Sequence, residues 1–346
     1  MKLLRLLAVV GLALAGTTVS PAWACGCGGY VPDAASQARV YGENALVRFD
    51  GRTEQIHLSM AVNGRSRTAA WIMPVPSAAT VELGRESLFA ELDQRTRPRI
   101  EYRTTHHPSW TWPSIMGGRG DSAGAPSPAS LDIRAMMRLG PFEVVRLTGT
   151  HPAKITGWLT EHGYAARPGL ADTLKPYVDE HWEIVAVRLA PESDLDGLAG
   201  ATPPLKLTFA SDTIVYPMRM SRGATTSQTV TVYVAAPYKV VPQATPDPSV
   251  RPELLFAGPA EGVGELAAPA SYLTAYTATY TMPQRISSDF RFARAPDNQP
   301  YQLVQVVTRN EPFWANVAIL TVVHLLLLAL AIGLAVLLRR REQASH

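Results

Sequence analysis

Apolar residues are distributed along this chain in three ways. Residues 6–15 form a short apolar run directly after Lys2 and Arg5, and residues 317–338 form a longer one without a single charge. Between them, apolar and polar positions mostly alternate, which is the period of a strand with one buried face. Residues 45–49 run into Asp50-Gly51, residues 55–62 alternate as far as Asn63-Gly64, and residues 68–75 follow. That pattern predicts a three-stranded meander with tight turns. Further strand-like runs cover 142–147, 184–189, 205–210, 214–220, 229–241, 272–282 and 301–307. Helical spacing is confined to three short segments. In 84–96, Leu88, Phe89 and Leu92 share a face and Pro98 ends the run; the others are 152–162, closed by Gly163, and 169–179, with Pro176 inside it. Few helices among many strands, without regular alternation, predict an α+β fold: a β-rich extracytoplasmic ectodomain with a few short helices, plus one C-terminal transmembrane helix.

The two ends set the expected topology. Lys2 and Arg5, the apolar run and Ala22-Trp23-Ala24 have the layout of a signal peptide over residues 1–24. Residues 315–338 are long enough to cross a hydrocarbon core of ~30 Å. Phe313 and Trp314 sit where an interfacial anchor belongs, and Arg339-Arg340-Arg341 follows the span. The positive-inside tendency assigns those arginines and the tail 339–346 to the cytoplasm. The expected location is therefore the bacterial cytoplasmic membrane, single-pass, with residues 25–312 outside. A loop at 104–130 and a proline-rich linker at 242–252 are candidate subdivisions of that ectodomain.

Charge changes this picture only slightly. The formal net charge of +3 and the basic isoelectric point come from the ends, since the middle region carries 27 basic and 28 acidic residues. Nucleic acid is not an implied partner. With two cysteines in about 288 residues, a disulfide scaffold is excluded as the source of stability.

Three local patterns carry a resemblance. The first is Ala70-Trp71-Ile72-Met73-Pro74-Val75-Pro76-Ser77 followed by the Leu88, Phe89, Leu92 helix. The second is Gly157-Trp158-Leu159 with Gly163-Tyr164 and Tyr177-Val178. The third is Trp182-Glu183-Ile184-Val185-Ala186-Val187-Arg188-Leu189 followed by Pro204-Leu205-Lys206-Leu207. Together they resemble domain-of-unknown-function family 2330, a family of exported bacterial proteins, across roughly residues 25–240. The resemblance implies an exported, membrane-anchored protein and transfers no catalytic residue.

Candidate chemistry is sparse. Cys25 and Cys27 flank Gly26 near the expected mature N-terminus, and three readings stay open: a disulfide, lipidation of Cys25, or part of a metal site. His106, His107, Trp110 and Trp112 form a polar–aromatic cluster suited to a contact surface. Gly120-Asp121-Ser122-Ala123-Gly124 matches a hydrolase nucleophile pattern, with Asp179 and His181 downstream in the hydrolase order, but Pro126 and Pro128 oppose the helix it needs. Arg119-Gly120-Asp121 is a chance-level tripeptide. Glu192, Asp194 and Asp196 open a calcium-type loop that ends on Pro203 where a bidentate Glu belongs. No cofactor is expected. The leading expectation is a non-enzymatic partner- or ligand-binding ectodomain, held to the cytoplasmic membrane by its C-terminal helix and facing an unidentified membrane or cell-envelope protein. An extracytoplasmic hydrolase, or a metal or redox accessory protein using the cysteine pair, are the alternatives.

Overall fold

The computed structural model describes residues 29–36, 38–105, 143–147, 152–164, 169–190, 198–261, 263, 266, 272–310 and 314–344. The expected signal peptide falls outside them. In chain order the first strands are β1 (Gly29–Pro32), β2 (Arg39–Phe49), β3 (Thr53–Ser66), β4 (Ala69–Val75) and β5 (Thr80–Leu83). Helix α1 (Leu88–Thr96) and β6 (Arg99–Thr105) follow, then β7 (Glu143–Leu147), α2 (Pro152–Glu161), α3 (Leu170–Asp179) and β8 (Glu183–Leu189). Next come β9 (Leu198–Ala201), β10 (Leu205–Ala210), β11 (Ile214–Tyr216), β12 (Gln228–Ala236), β13 (Val240–Ala244) and β14 (Glu253–Pro259). The chain closes with β15 (Tyr272–Tyr280), β16 (Phe290–Arg294), β17 (Tyr301–Gln302), β18 (Val304–Asn310) and α4 (Trp314–Ala344). The fold is α+β and β-rich, with one apolar helix at its C-terminus.

Two compact units divide the chain: Met1–Pro98 with Pro128–Leu303, and Arg99–Ser127 with Val304–His346. Within the larger unit the main sheet has nine strands in the order β17-β14-β15-β12-β2-β3-β10-β5, with β9 also pairing β3. Its pairs are antiparallel except β12 and β2. A four-stranded antiparallel sheet, β1-β4-β8-β7, and a three-stranded one, β11-β16-β13, complete the unit.

Side-chain parity stacks these sheets into layers. Even-numbered residues of β3, among them Ile56, Leu58 and Met60, meet odd-numbered residues of β4, Trp71, Met73 and Val75, in one core between the sheets. The opposite face of β4 presents Ala70 and Ile72 to Ile155 and Leu159 of α2 and to Leu170, Leu174 and Tyr177 of α3. On the far side of the main sheet, Leu46, Tyr233 and Ala235 are covered by Leu88, Phe89 and Leu92 of α1. The order is helix, sheet, sheet, helix. Because β4 is buried on both faces its sequence is apolar throughout instead of alternating.

Five expected elements are corrected. The meander expected over residues 45–75 stops after two strands: β2 pairs β3, but β4 crosses to the four-stranded sheet, where it pairs β1 and β8. The first helix begins at Leu88 because Gly84 is still tied to the neighbouring strand, where its N–H donates to the Pro204 carbonyl (2.7 Å) just beyond the β5–β10 pairing, and a turn at Glu86 and Ser87 intervenes. The run 214–220 leaves its strand after Tyr216 and enters a 3₁₀ turn at Arg219–Gly223. The run 229–241 is two strands in different sheets, β12 and β13, with Pro237, which has no N–H to give a ladder, between them. The run 301–307 is likewise split at Leu303 between β17 and β18.

Trp71, fully buried between the sheets, is the largest side chain of the shared core. Trp71→Ala is expected to cost about 3–5 kcal/mol, the usual penalty for removing a large core aromatic, as a lower midpoint in denaturant titration.

Candidate functional site

Few of the residues singled out in the sequence fall within the described structure. Cys25, Cys27, His106, His107, Trp110, Trp112, Ser122 and the 192–196 acidic segment lie outside the described residues. Asp179 ends α3 and is bound by Lys175 Nζ (2.6 Å), while His181 sits beyond it on the surface with a left-handed φ of 61°. His57 lies on β3 and His162 at the end of α2, where its Nδ1 is 2.7 Å from the Trp158 carbonyl. Among the described residues no three His, Cys, Asp or Glu side chains gather as a metal site would require.

Buried polar groups missed in the sequence include Asp289, Glu43 and Glu54. Asp289 is almost wholly buried. Its Oδ1 accepts from the Tyr177 hydroxyl (2.6 Å) and the Met218 and Arg219 N–H groups (2.7 and 3.1 Å). Its Oδ2 accepts from Arg219 Nε (2.8 Å), and the same guanidinium forks onto Glu180 (2.6 and 3.0 Å) above the Tyr177 ring. Every oxygen of Asp289 is engaged in tying α3 to the turn after β11, so the network is a clasp with no atom left to act on a substrate. Only the fold brings its partners together, and they are up to 112 residues apart in sequence.

Glu43 and Glu54 point into the core between the sheets. Their positions follow from parity: Glu54 is in step with Ile56, Leu58 and Met60. Glu43 accepts from the Tyr216 hydroxyl. Glu54 Oε2 accepts the Val215 N–H (3.0 Å) at the open edge of β11, and its Oε1 has no partner. Burial pushes the Glu54 carboxyl well above the usual carboxylate range, an effect the Val215 bond only partly offsets. On the other face of β3, burial and then the charges of Lys206 and Arg48 push His57 down to about 4. An open cleft of about 140 Å³ lies beside Phe49, Tyr238, Gln243 and Arg291. It is below the roughly 300 Å³ at which small-molecule sites begin.

The most unusual surface is in the smaller unit. There β6 and β18 form a two-stranded parallel ribbon with no third strand among the described residues. The register pairs Ile100 with Gln305 and Tyr102 with Val307, so these four share one face. Arg99, Glu101 and Arg103 share the other with Val304, Val306 and Thr308. Ile100 is 53% exposed and Tyr102 is 70% exposed, and the three valines are exposed as well. Parallel pairs are normally buried on both faces, and two strands alone are marginal in water. The alternating Arg-Ile-Glu-Tyr-Arg run of β6 was the available sequence signal for it.

The arrangement is a layered, β-rich body with an exposed ribbon and an apolar C-terminal helix. The chain belongs to DUF2330, described as uncharacterized proteins conserved in bacteria, whose family model matches residues 21–293. No curated protein matches it. Among solved structures it is similar to baculovirus P35, with 9% identity and a TM-score of 0.33, covering 79% of this chain and 100% of that one. A chain of the caspase-8/P35 complex matches with 7% identity and a TM-score of 0.30, covering 77% and 97%. Similarity this weak carries no argument about fold or function.

Two predictions follow from the buried groups. Tyr177→Phe removes the hydroxyl donor from Asp289 and should lower unfolding free energy by about 1–3 kcal/mol, measured by urea titration. For Glu54, the folded state holds its proton more tightly than the unfolded chain. The stability linked to that proton is complete below the ordinary value of 4.5 and is lost as pH rises through the raised folded value. Glu54→Gln is therefore expected to gain stability relative to the parent as pH is raised from 5 to 8 in a series of urea titrations.

Proposed function

We propose that this protein is a single-pass membrane-anchored binding module, whose β-rich domain works outside the bacterial cytoplasmic membrane by engaging a protein partner. The observation that carries the anchoring is α4. Its segment Leu320–Arg341 is 22 residues with no buried side chain, and it is apolar as far as Leu338 except at Thr321 and His324. A helix that is apolar all round and uncovered by its own protein has its natural solvent in lipid. The one polar ring inside it, His324, has Nδ1 2.7 Å from the Leu320 carbonyl, so the helix itself meets part of that polar demand. Arg339, Arg340 and Arg341 at its end favour a cytoplasmic tail and an outward-facing domain.

Binding is favoured over turnover because the described polar clusters are occupied in holding layers together, while the exposed apolar surface lies on the ribbon. Family membership is compatible with this role and supplies no activity.

The test is topological. In spheroplasts of a strain carrying a tag after His346, external protease is expected to digest the β-rich domain while the tag survives until the membrane is opened. Alkaline carbonate should leave the protein in the membrane pellet. Release by carbonate, or a tag digested in intact spheroplasts, would contradict the reading.

A further inference from the structure

We propose that the β6–β18 ribbon is a self-association surface, at which two copies of this chain pack the face bearing Ile100, Tyr102 and Val307 against each other. This rests on the membrane-anchored reading above and specifies its partner as a second copy.

The ribbon is incomplete as it stands. Two parallel strands bury little of their own surface, and here both faces keep exposed apolar side chains. The faces are not equivalent. Ile100, Tyr102, Gln305 and Val307 form an uncharged patch, whereas the opposite face carries Arg99, Glu101 and Arg103, with Arg99 Nη2 already 2.7 Å from Glu101. The uncharged face can be desolvated at low cost, and an exposed tyrosine among aliphatic residues is the type of side chain that dominates interface energetics.

A second copy is the occupant that the chain's own connectivity favours. Only residues 311–313 separate the end of β18 from the start of α4. With α4 in the membrane, a link of three residues keeps the ribbon of every copy within about 10 Å of the start of that helix. Confinement to the membrane plane raises their effective concentration, and the packing proposed sets two identical faces in register about a two-fold axis along the strands. The same symmetry argues against edge-to-edge pairing. It sets each residue opposite itself at equal height, N–H facing N–H, and a parallel ladder needs an offset of one residue. It also leaves the charged face outward, since turning it inward would bring Arg103 of one copy against Arg103 of the other.

The experiment uses the full-length protein in its native membranes, with p-benzoylphenylalanine replacing Tyr102 or, separately, Arg103. On illumination, position 102 is expected to give a dimeric adduct mapping to the ribbon, and position 103 about tenfold less. With the crosslinker at Ile100 instead, a Tyr102→Glu substitution should cut the dimer yield about tenfold. Equal yields at 102 and 103 overturn the proposal, as do an adduct at 102 with lipid, with another protein or within the same chain, and the lack of any adduct. Carbonate washing of the same membranes separates the two readings. Protein that stays in the pellet without the 102 dimer overturns self-association alone, whereas protein that washes out overturns the anchoring and this inference with it.

Discussion

Burying the facing surfaces of two sheets against each other is the constraint on which the larger unit depends. β4 lies at the centre of it, with Trp71, Met73 and Val75 directed to the main sheet and Ala70 and Ile72 to the helices. The small Ala70 and Ala186 let α2 and α3 approach the sheet closely, and the large Trp71 fills the space between the sheets. Neither helix pair nor sheet could bury its apolar face without β4 between them. Of the carboxylates buried in this unit, three show different solutions. Asp289 is saturated with donors, Glu43 is met by a tyrosine, and Glu54 keeps one unpaired oxygen, so burial favours its neutral form.

The same layering explains how two distant stretches come to form a parallel ribbon. Helix α1 covers the outer face of the main sheet and delivers the chain to Pro98, while β17 joins the edge of that sheet through β14 and delivers it to Leu303. Gln302 Nε2 donates to the Arg97 carbonyl (2.8 Å), and so holds the two exits side by side across 205 residues of sequence. Strands that start side by side and run the same way can only pair in parallel. One of them continues to the apolar helix. The pairing of the ribbon is thus a product of the fold's connectivity, whereas the apolar helix is marked locally by the charge-free run 317–338.

Much of the layered body was legible. The unbroken apolar run of β4, the alternation in β3, the helical spacing of Leu88, Phe89 and Leu92, and the family resemblance all stood on local pattern. What was lost lay beyond local pattern. β6 resembles a charged loop because three of its first five residues are Arg or Glu, and its partner strand is about 200 residues away. The single run at 301–307 gave no sign that Leu303 divides it between two sheets. Asp289 had no sequence signal, since its ligands come from α3 and a turn. Glu54 did have one, because its parity placed a carboxylate on the core face of a strand. The cysteine pair and the histidine–tryptophan cluster belong to segments outside the described residues, so they remain expectations from sequence.

Amide hydrogen exchange of the full-length protein tests most directly whether one shared core holds both sheets. If β4 and the main sheet are a single cooperative unit, amides of β2, β3, β4, β8 and β12 will exchange only through global opening, with a common free energy. Markedly faster exchange of β4 and β8 than of β2 and β12 would mean that the four-stranded sheet opens on its own, which contradicts the account.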